Sequence, residues 1–206
     1  MVDTEPLARA AWERVVSPYG ATIGDDLYGQ MLGRRTAESA QLVLDALRLP
    51  VELEELVRRK TDEFLGSLEG GVPVMPGLWA LLGRIEALGV PWGVATSTPR
   101  PVAQIILSKL GVAGCYRALA CGDEVVRGKP APDIFLLAAA RVGASPAACL
   151  ALEDSAAGCT AAAAAGMRVA AVPTGLTRDE PFACAYRRYP SLVEVAVDLE
   201  ALLAAD

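Results

Sequence analysis

Apolar residues in the first third of the chain recur every three to four positions, the period of helices with one buried face. Trp12, Val15 and Val16 mark a first helix over about 4–17, which Asp3 or Thr4 can cap with Pro6 in its first turn. Tyr19-Gly20 ends it. Leu27, Tyr28 and Met31 mark a short second helix over 25–32. Gly33-Arg34-Arg35-Thr36 reads as a loop with two positive charges. Leu42, Val43, Leu44 and Leu47 mark a third helix over 37–47. A fourth begins near Pro50 and carries Leu53, Leu56, Val57, Phe64, Leu65 and Leu68 at helical spacing. Residues 1–73 therefore read as an all-helical unit, closed by the Gly70-Gly71-Val72-Pro73 linker.

From residue 74 to 206 the pattern changes to short apolar runs between helical stretches. Strands are expected over 90–95, 117–120, 150–152, 169–172 and 192–195. Helices are expected over 77–88, 99–110, 133–142, the alanine run after Ser155, and 199–204. Strands separated by helices of this length imply right-handed crossovers and a parallel sheet. The fold class is thus α/β, a Rossmann-like parallel sheet behind a helical N-terminal unit.

Bulk composition narrows the function classes. The 206 residues are 53% hydrophobic, enough for a sizeable buried core, and the net charge of −6 argues against a general nucleic-acid binder. No apolar run reaches membrane-spanning length, because Arg168 interrupts the alanine-rich segment. The first residues show no basic–apolar leader pattern. Histidine is absent, which removes Ser–His and Cys–His catalysis and histidine metal ligands. The five cysteines stand in no CxxC spacing and read as reduced packing residues of a cytosolic protein.

Three loops follow three of the expected strands. Val94-Ala95-Thr96-Ser97 puts a hydroxyl where a strand gives way to a helix, a place that suits a phosphate oxygen or an ordinary helix cap. Gly128-Lys129-Pro130-Ala131-Pro132-Asp133 fixes one lysine in a restrained loop. An ammonium there can neutralise a phosphoryl group, or be a solvated surface charge. Leu150-Ala151-Leu152-Glu153-Asp154 ends a buried strand on two carboxylates, where open α/β sheets bind ligands. Carboxylate oxygens suit a hard cation such as Mg²⁺, although Asp154 as a helix cap is the plainer alternative.

Taken in order, T-S after a strand, G-K-P-x-P-D-x-F and E-D-S-x-x-G resemble the haloacid dehalogenase-like superfamily. The closer likeness is to its helical-cap branch of sugar-phosphate and nucleotide phosphatases, with the beta-phosphoglucomutases. D-T-E-P-L, M-L-G-R-R-T-A-E-S-A-Q and M-P-G look most like pseudouridine-5'-phosphatase-like proteins. The resemblance implies a helical cap over 1–73 and a core over 74–206. It implies that Thr96 and Ser97 bind the phosphoryl group and that Lys129 neutralises it. Glu153 and Asp154 would hold Mg²⁺, with Ser155 and Gly158 shaping their loop. Asp123 and Asp133 flank Lys129 and could orient it or cap helices. Arg34, Arg35 and Lys60 would face the substrate, or form a solvated helical surface. The expected partner is a small phosphorylated sugar, polyol or nucleoside; no nucleic acid or membrane is expected, and the chain is expected to be a monomer.

The same resemblance locates a gap. The family's reaction uses the first aspartate of a D-x-D-G-[TV] motif to attack phosphorus and the second as acid and base. No such motif occurs in this sequence, and Met1-Val2 stands directly before the D-T-E stretch that follows it in relatives. The expectation is a late start or a truncation, a first core strand missing between those ending at Leu152 and Ala95, and an inactive chain. Asp3 matches the cap-entry aspartate rather than the nucleophile. The mutase branch places a histidine where this chain has Ala8 and an arginine at Thr36, with Arg35 one residue away. A phosphatase is therefore expected over a mutase; a catalytically dead binding protein is the third reading.

Overall fold

The computed structural model describes residues 1–204. Four helices come first: α1 (Glu5–Val16), α2 (Asp25–Met31), α3 (Thr36–Leu47) and α4 (Leu53–Ser67). Their apolar stripes meet in one cluster of Trp12, Val15, Val16, Tyr28, Met31, Ala40, Val43 and Leu56. Helix α1 starts without side-chain capping: Thr4 occupies the N-cap position and makes no such bond. Asp3 Oδ1 is buried and has no hydrogen-bond partner among the described residues.

The remaining elements alternate. They are α5 (Leu78–Ala87), β1 (Gly93–Thr96), α6 (Arg100–Lys109), β2 (Ala118–Cys121), α7 (Asp133–Val142), β3 (Leu150–Glu153), α8 (Ala156–Ala164), β4 (Arg168–Ala171), β5 (Arg187–Arg188) and α9 (Leu192–Ala204). All strand pairs are parallel, as expected from the crossovers. They form two separate sheets among the described residues, β1–β2 and β3–β4–β5. One face is covered by α7 and α8, where Ile134, Phe135, Cys159, Ala161 and Ala162 pack on Ala120, Ala151 and Val169. The alanines of α8 carry no bulk beyond Cβ, so the helix lies close on the strands. On the other face, Leu78 and Leu81 of α5 meet Leu192, Val195, Leu199 and Leu202 of α9.

The expected strand over 192–195 is instead the first turn of α9. Leu192, Val195, Leu199 and Leu202 are all buried, and their spacing of three, four and three residues is helical. Ser191 accepts a hydrogen bond from the Val193 N–H at 3.1 Å and bonds Glu194 at 2.6 Å, so S-x-x-E acts as a helix start. The terminal strand is Arg187–Arg188, which pairs with β4 through Ala170 and Ala171.

Contacts at α6 and along the linker help join the helical and α/β parts. Phe64 and Leu68 pack against Val102 and Ile106 of α6. The first residues also run antiparallel to the linker: Val2 bridges Val74, and the Asp3 N–H donates to the Pro73 carbonyl at 3.0 Å. Two of the cysteines, Cys121 and Cys159, are buried; Cys115 and Cys184 are exposed, so the packing role read for all five holds only for some.

Candidate active site

A cavity of about 330 Å³ lies between the two sheets. Gly93 to Thr96 of β1 line one side, and Leu152 and Glu153 of β3 with Asp154 line the other. Met1, whose ammonium donates to Met75 Sδ at 3.4 Å, lines it with Met75, Val172 and Leu192, and Glu5, Ala8, Arg34, Thr36 and Lys60 line it from the helical side. Parallel strands bring their C-terminal ends to one edge, so Thr96, Ser97, Lys129, Glu153 and Asp154 converge here from three separate loops.

Lys129 and Glu153 form a buried ion pair, Nζ to Oε1. Their side chains are only 8% and 6% exposed, so each charge depends on the other for compensation. The Lys129 ammonium also sits 5.0 Å from the centre of the Phe135 ring. The other carboxylate oxygen of Glu153 accepts from Ser155 Oγ at 3.3 Å and from the Asp154 N–H at 3.3 Å. Gly158 makes room for this group, because a Cβ there would fall on the Glu153 carboxylate.

The helix cap at the end of β3 is Ser155, not Asp154. Ser155 Oγ accepts the Gly158 N–H at 3.1 Å, and Glu180 accepts the Ala156 N–H at 2.6 Å. Asp154 is therefore released from capping. No donor hydrogen-bonds its carboxylate among the described residues, and its pKa is pushed up to about 6 by burial first and by the Glu153 charge second.

The Thr96 hydroxyl accepts the Thr98 N–H at 3.2 Å, and Ser97 Oγ donates to the Gly33 carbonyl at 2.8 Å. Gly122 allows this crossing, since a Cβ there would meet the Ser97 carbonyl. Lys60 is buried with its ammonium 4.7 Å from the Phe64 ring centre and 5.7 Å from that of Trp12. No carboxylate reaches ion-pair distance among the described residues, and burial lowers its pKa to about 8. Near it, Glu5 accepts from Tyr28 Oη at 2.8 Å, and burial raises the Glu5 pKa.

Three flanking residues stand elsewhere. Arg35 is absent from the cavity wall: it pairs with Glu38 and donates to the carbonyls of Val125 and Val126 at 3.2 and 3.3 Å. Asp133 pairs with Arg127 at 2.8 Å, and Asp123 accepts the Arg100 N–H at 3.0 Å at the start of α6. Neither touches Lys129; Glu153 orients it. Arg34, weighed with Arg35 as a substrate contact, does line the cavity; the sequence reading missed Glu5 and Thr177, which also line it, and Glu180. Glu180 lies in the irregular T-R-D-E-P run, which has no periodicity to mark it.

A family model for haloacid dehalogenase-like hydrolases matches residues 1–166. The chain belongs to the haloacid dehalogenase-like hydrolases. Among curated relatives, it is 36% identical over 179 residues to the probable pseudouridine-5'-phosphatase of Drosophila melanogaster, covering 84% of this chain and 77% of that protein. It is 32% identical over 169 residues to the fructose-1-phosphate phosphatase YqaB of Escherichia coli K12, covering 81% and 88%. Among solved structures, CbbY from Rhodobacter sphaeroides in complex with phosphate superposes with a TM-score of 0.85 at 29% identity, covering 95% of this chain and 91% of that one. This hydrolase thus shares with its relatives both the α/β core and the helices above it. No helix among its described residues is long and apolar enough to cross a membrane.

Proposed function

We propose that this hydrolase is a Mg²⁺-dependent phosphatase acting on a small phosphorylated metabolite, a sugar, polyol or nucleoside monophosphate. One observation carries the reading. A hydroxyl (Thr96), an ammonium (Lys129) and two carboxylates (Glu153, Asp154) from three loops face one cavity. That set matches the needs of phosphoryl transfer, in which charge spread over phosphoryl oxygens must be neutralised and oriented. The names of the phosphatase relatives support the substrate class.

In this reading Thr96 Oγ and the Ser97 backbone hold phosphoryl oxygens, and Lys129 balances their charge. Glu153 is held by Lys129 and Ser155, whereas the Asp154 carboxylate has no hydrogen-bond donor among the described residues. An acceptor-only group with a raised pKa in a polar cavity suits a hard cation, so Asp154 with Glu153 would hold Mg²⁺. Mg²⁺ bound there would offset charge on the transferring group. Lys60 faces the far part of the substrate from the helical side. The proposed division is a cap over residues 1–73 and a core over residues 74–206, supported by the separate apolar cluster of α1 to α4. A cytoplasmic, monomeric enzyme without nucleic-acid or membrane partners is the accompanying proposal.

The mutase alternative is disfavoured by Ala8 and Thr36. Both line the cavity at the positions where mutases carry a histidine and an arginine, and the sequence holds no histidine. The reaction proposed runs through an aspartyl-phosphate, and residues 1–206 contain no D-x-D-G motif. The test is phosphate release from a panel of sugar, polyol and nucleoside monophosphates with Mg²⁺. It is run on residues 1–206 and on a form with a D-x-D-G strand joined ahead of Met1. Turnover only in the extended form is expected. Sugar-phosphate interconversion without release would favour the mutase. Binding without turnover in either form would favour a non-catalytic protein.

A further inference from the structure

The loop Gly33-Arg34-Arg35 touches all three of the core loops that meet at the cavity. The Gly33 carbonyl accepts from Ser97 Oγ at 2.8 Å. A Cβ on Gly33, whose φ is +74°, would stand 3.1 Å from Ser155 Oγ and 3.4 Å from Ala157 Cβ. Arg35 Nη1 donates to the Val125 and Val126 carbonyls at 3.2 and 3.3 Å, while its Nε donates to Glu38 at 2.7 Å. The Arg35–Glu38 pair also lies directly on Gly128, the residue before Lys129. A Cβ on Gly128 would come within 3.0 Å of Arg35 Nε and 3.1 Å of Glu38 Oε1.

Arg35 therefore spends its guanidinium on one carboxylate and two backbone carbonyls, and presents none of it to the cavity. A rigid planar fork suits this shared use in a way an ammonium does not. Glu38 fixes it further by accepting the Arg35 N–H at 3.2 Å, which locks the start of α3 to the same pair.

We propose that Arg35 is a positioning residue: clamped by Glu38, it seats the helical layer on the 125–128 segment and so sets the placement of Lys129 beside Glu153. The catalytic consequence rests on the phosphatase reading of Lys129; the mechanical coupling does not. Seating of the helices and placement of the lysine become one event, because the same guanidinium holds both sides.

The chain has three lysines, Lys60, Lys109 and Lys129, so a spectrum of chain labelled at lysine ¹³Cε contains three side-chain signals. Arg35→Ala and Gly128→Ala are each expected to move the Lys129 signal and leave that of Lys109 in place. Both are also expected to speed amide exchange across 125–129 about tenfold, as loss of a charge-assisted hydrogen bond predicts. Arg34→Ala, which removes a bond to the Gln30 carbonyl and a side chain lining the cavity but no hydrogen bond to 125–128 among the described residues, is expected to leave exchange across 125–129 unchanged. Melting curves identify any variant that fails to fold, and Gly128→Ala serves if Arg35→Ala does. An unmoved Lys129 signal in the folded variants, or faster exchange confined to 33–38, overturns the proposal. Inorganic phosphate added to the unaltered chain tests the phosphatase reading separately: no response of the Lys129 signal counts against that reading and leaves the coupling standing or falling on the variants.

Discussion

The ammonium of Lys129 and the carboxylate of Glu153 are joined as a buried ion pair, across loops 24 residues apart in sequence. Each group is costly to desolvate alone, and breaking such a pair from one side leaves an uncompensated charge. Lys129→Ala and Glu153→Gln are each expected to lower the unfolding free energy by about 3–5 kcal/mol in urea titrations. The joint change Lys129→Met with Glu153→Leu is expected to recover most of that loss, because it removes both charges. If the double variant is as unstable as the sum of the singles, the pair is not the source of the cost.

Gly158 tests the same carboxylate from another side. It stands in α8, where alanine is ordinarily the more favourable residue by about 1 kcal/mol. Here the Cβ would fall on the Glu153 carboxylate. Gly158→Ala is therefore expected to destabilise the fold by about 1–3 kcal/mol, the cost of overpacking. Ala163 and Ala164 of the same helix mark what α8 tolerates, so a neutral or stabilising effect in a melting experiment would show that Glu153 moves aside freely.

Much of this site was legible because its parts are local. The apolar run Leu150 to Leu152, the acids after it and the S-x-x-G start of α8 lie within nine residues, and each has its own pattern. The parallel order followed from strand–helix alternation. What stayed hidden depends on contacts between distant segments. Asp133 and Asp123 flank Lys129 in sequence, yet Glu153 from another strand takes that place. Arg35 and Arg34 looked equivalent in sequence; only the tertiary fold turns one to the Val125 and Val126 carbonyls and the other to the cavity. The first turn of α9 was misread because four apolar or acidic residues cannot distinguish a strand from a helix, and the capping by Ser191 and Glu194 decided it.

Lys60 gives a pH-dependent prediction. Burial lowers its pKa from 10.5 to about 8, with the Glu5 charge opposing that shift. Between pH about 8 and 10.5 the unfolded chain binds the proton and the folded chain does not, so this residue makes stability rise with pH across that window. Below pH 8 the folded protein bears the full cost of a buried charge. Lys60→Met is expected to raise stability on the order of 2–3 kcal/mol at pH 7 and to have little effect above pH 10.5. Urea midpoints at pH 7, 9 and 10.5 check it; an equal gain at every pH would show that the effect is packing rather than ionisation.

Asp154 carries the metal prediction. Its carboxylate has no hydrogen-bond donor among the described residues, and its pKa stands raised to about 6 by burial and by Glu153. A cation held there requires the ionised form, so Mg²⁺ must displace the proton at lower pH. Mg²⁺ affinity, measured by calorimetry, is expected to fall as pH drops below about 6, with proton release on binding in that range. Asp154→Asn keeps the shape, removes the charge, and is expected to weaken Mg²⁺ at least about tenfold while abolishing the pH dependence. Stability in the absence of metal is expected to be unchanged or improved by the same substitution, since a buried like charge beside Glu153 is gone. Retained Mg²⁺ affinity in Asp154→Asn would remove Asp154 from the metal site and leave Glu153, already held by Lys129, as an unsuitable sole ligand.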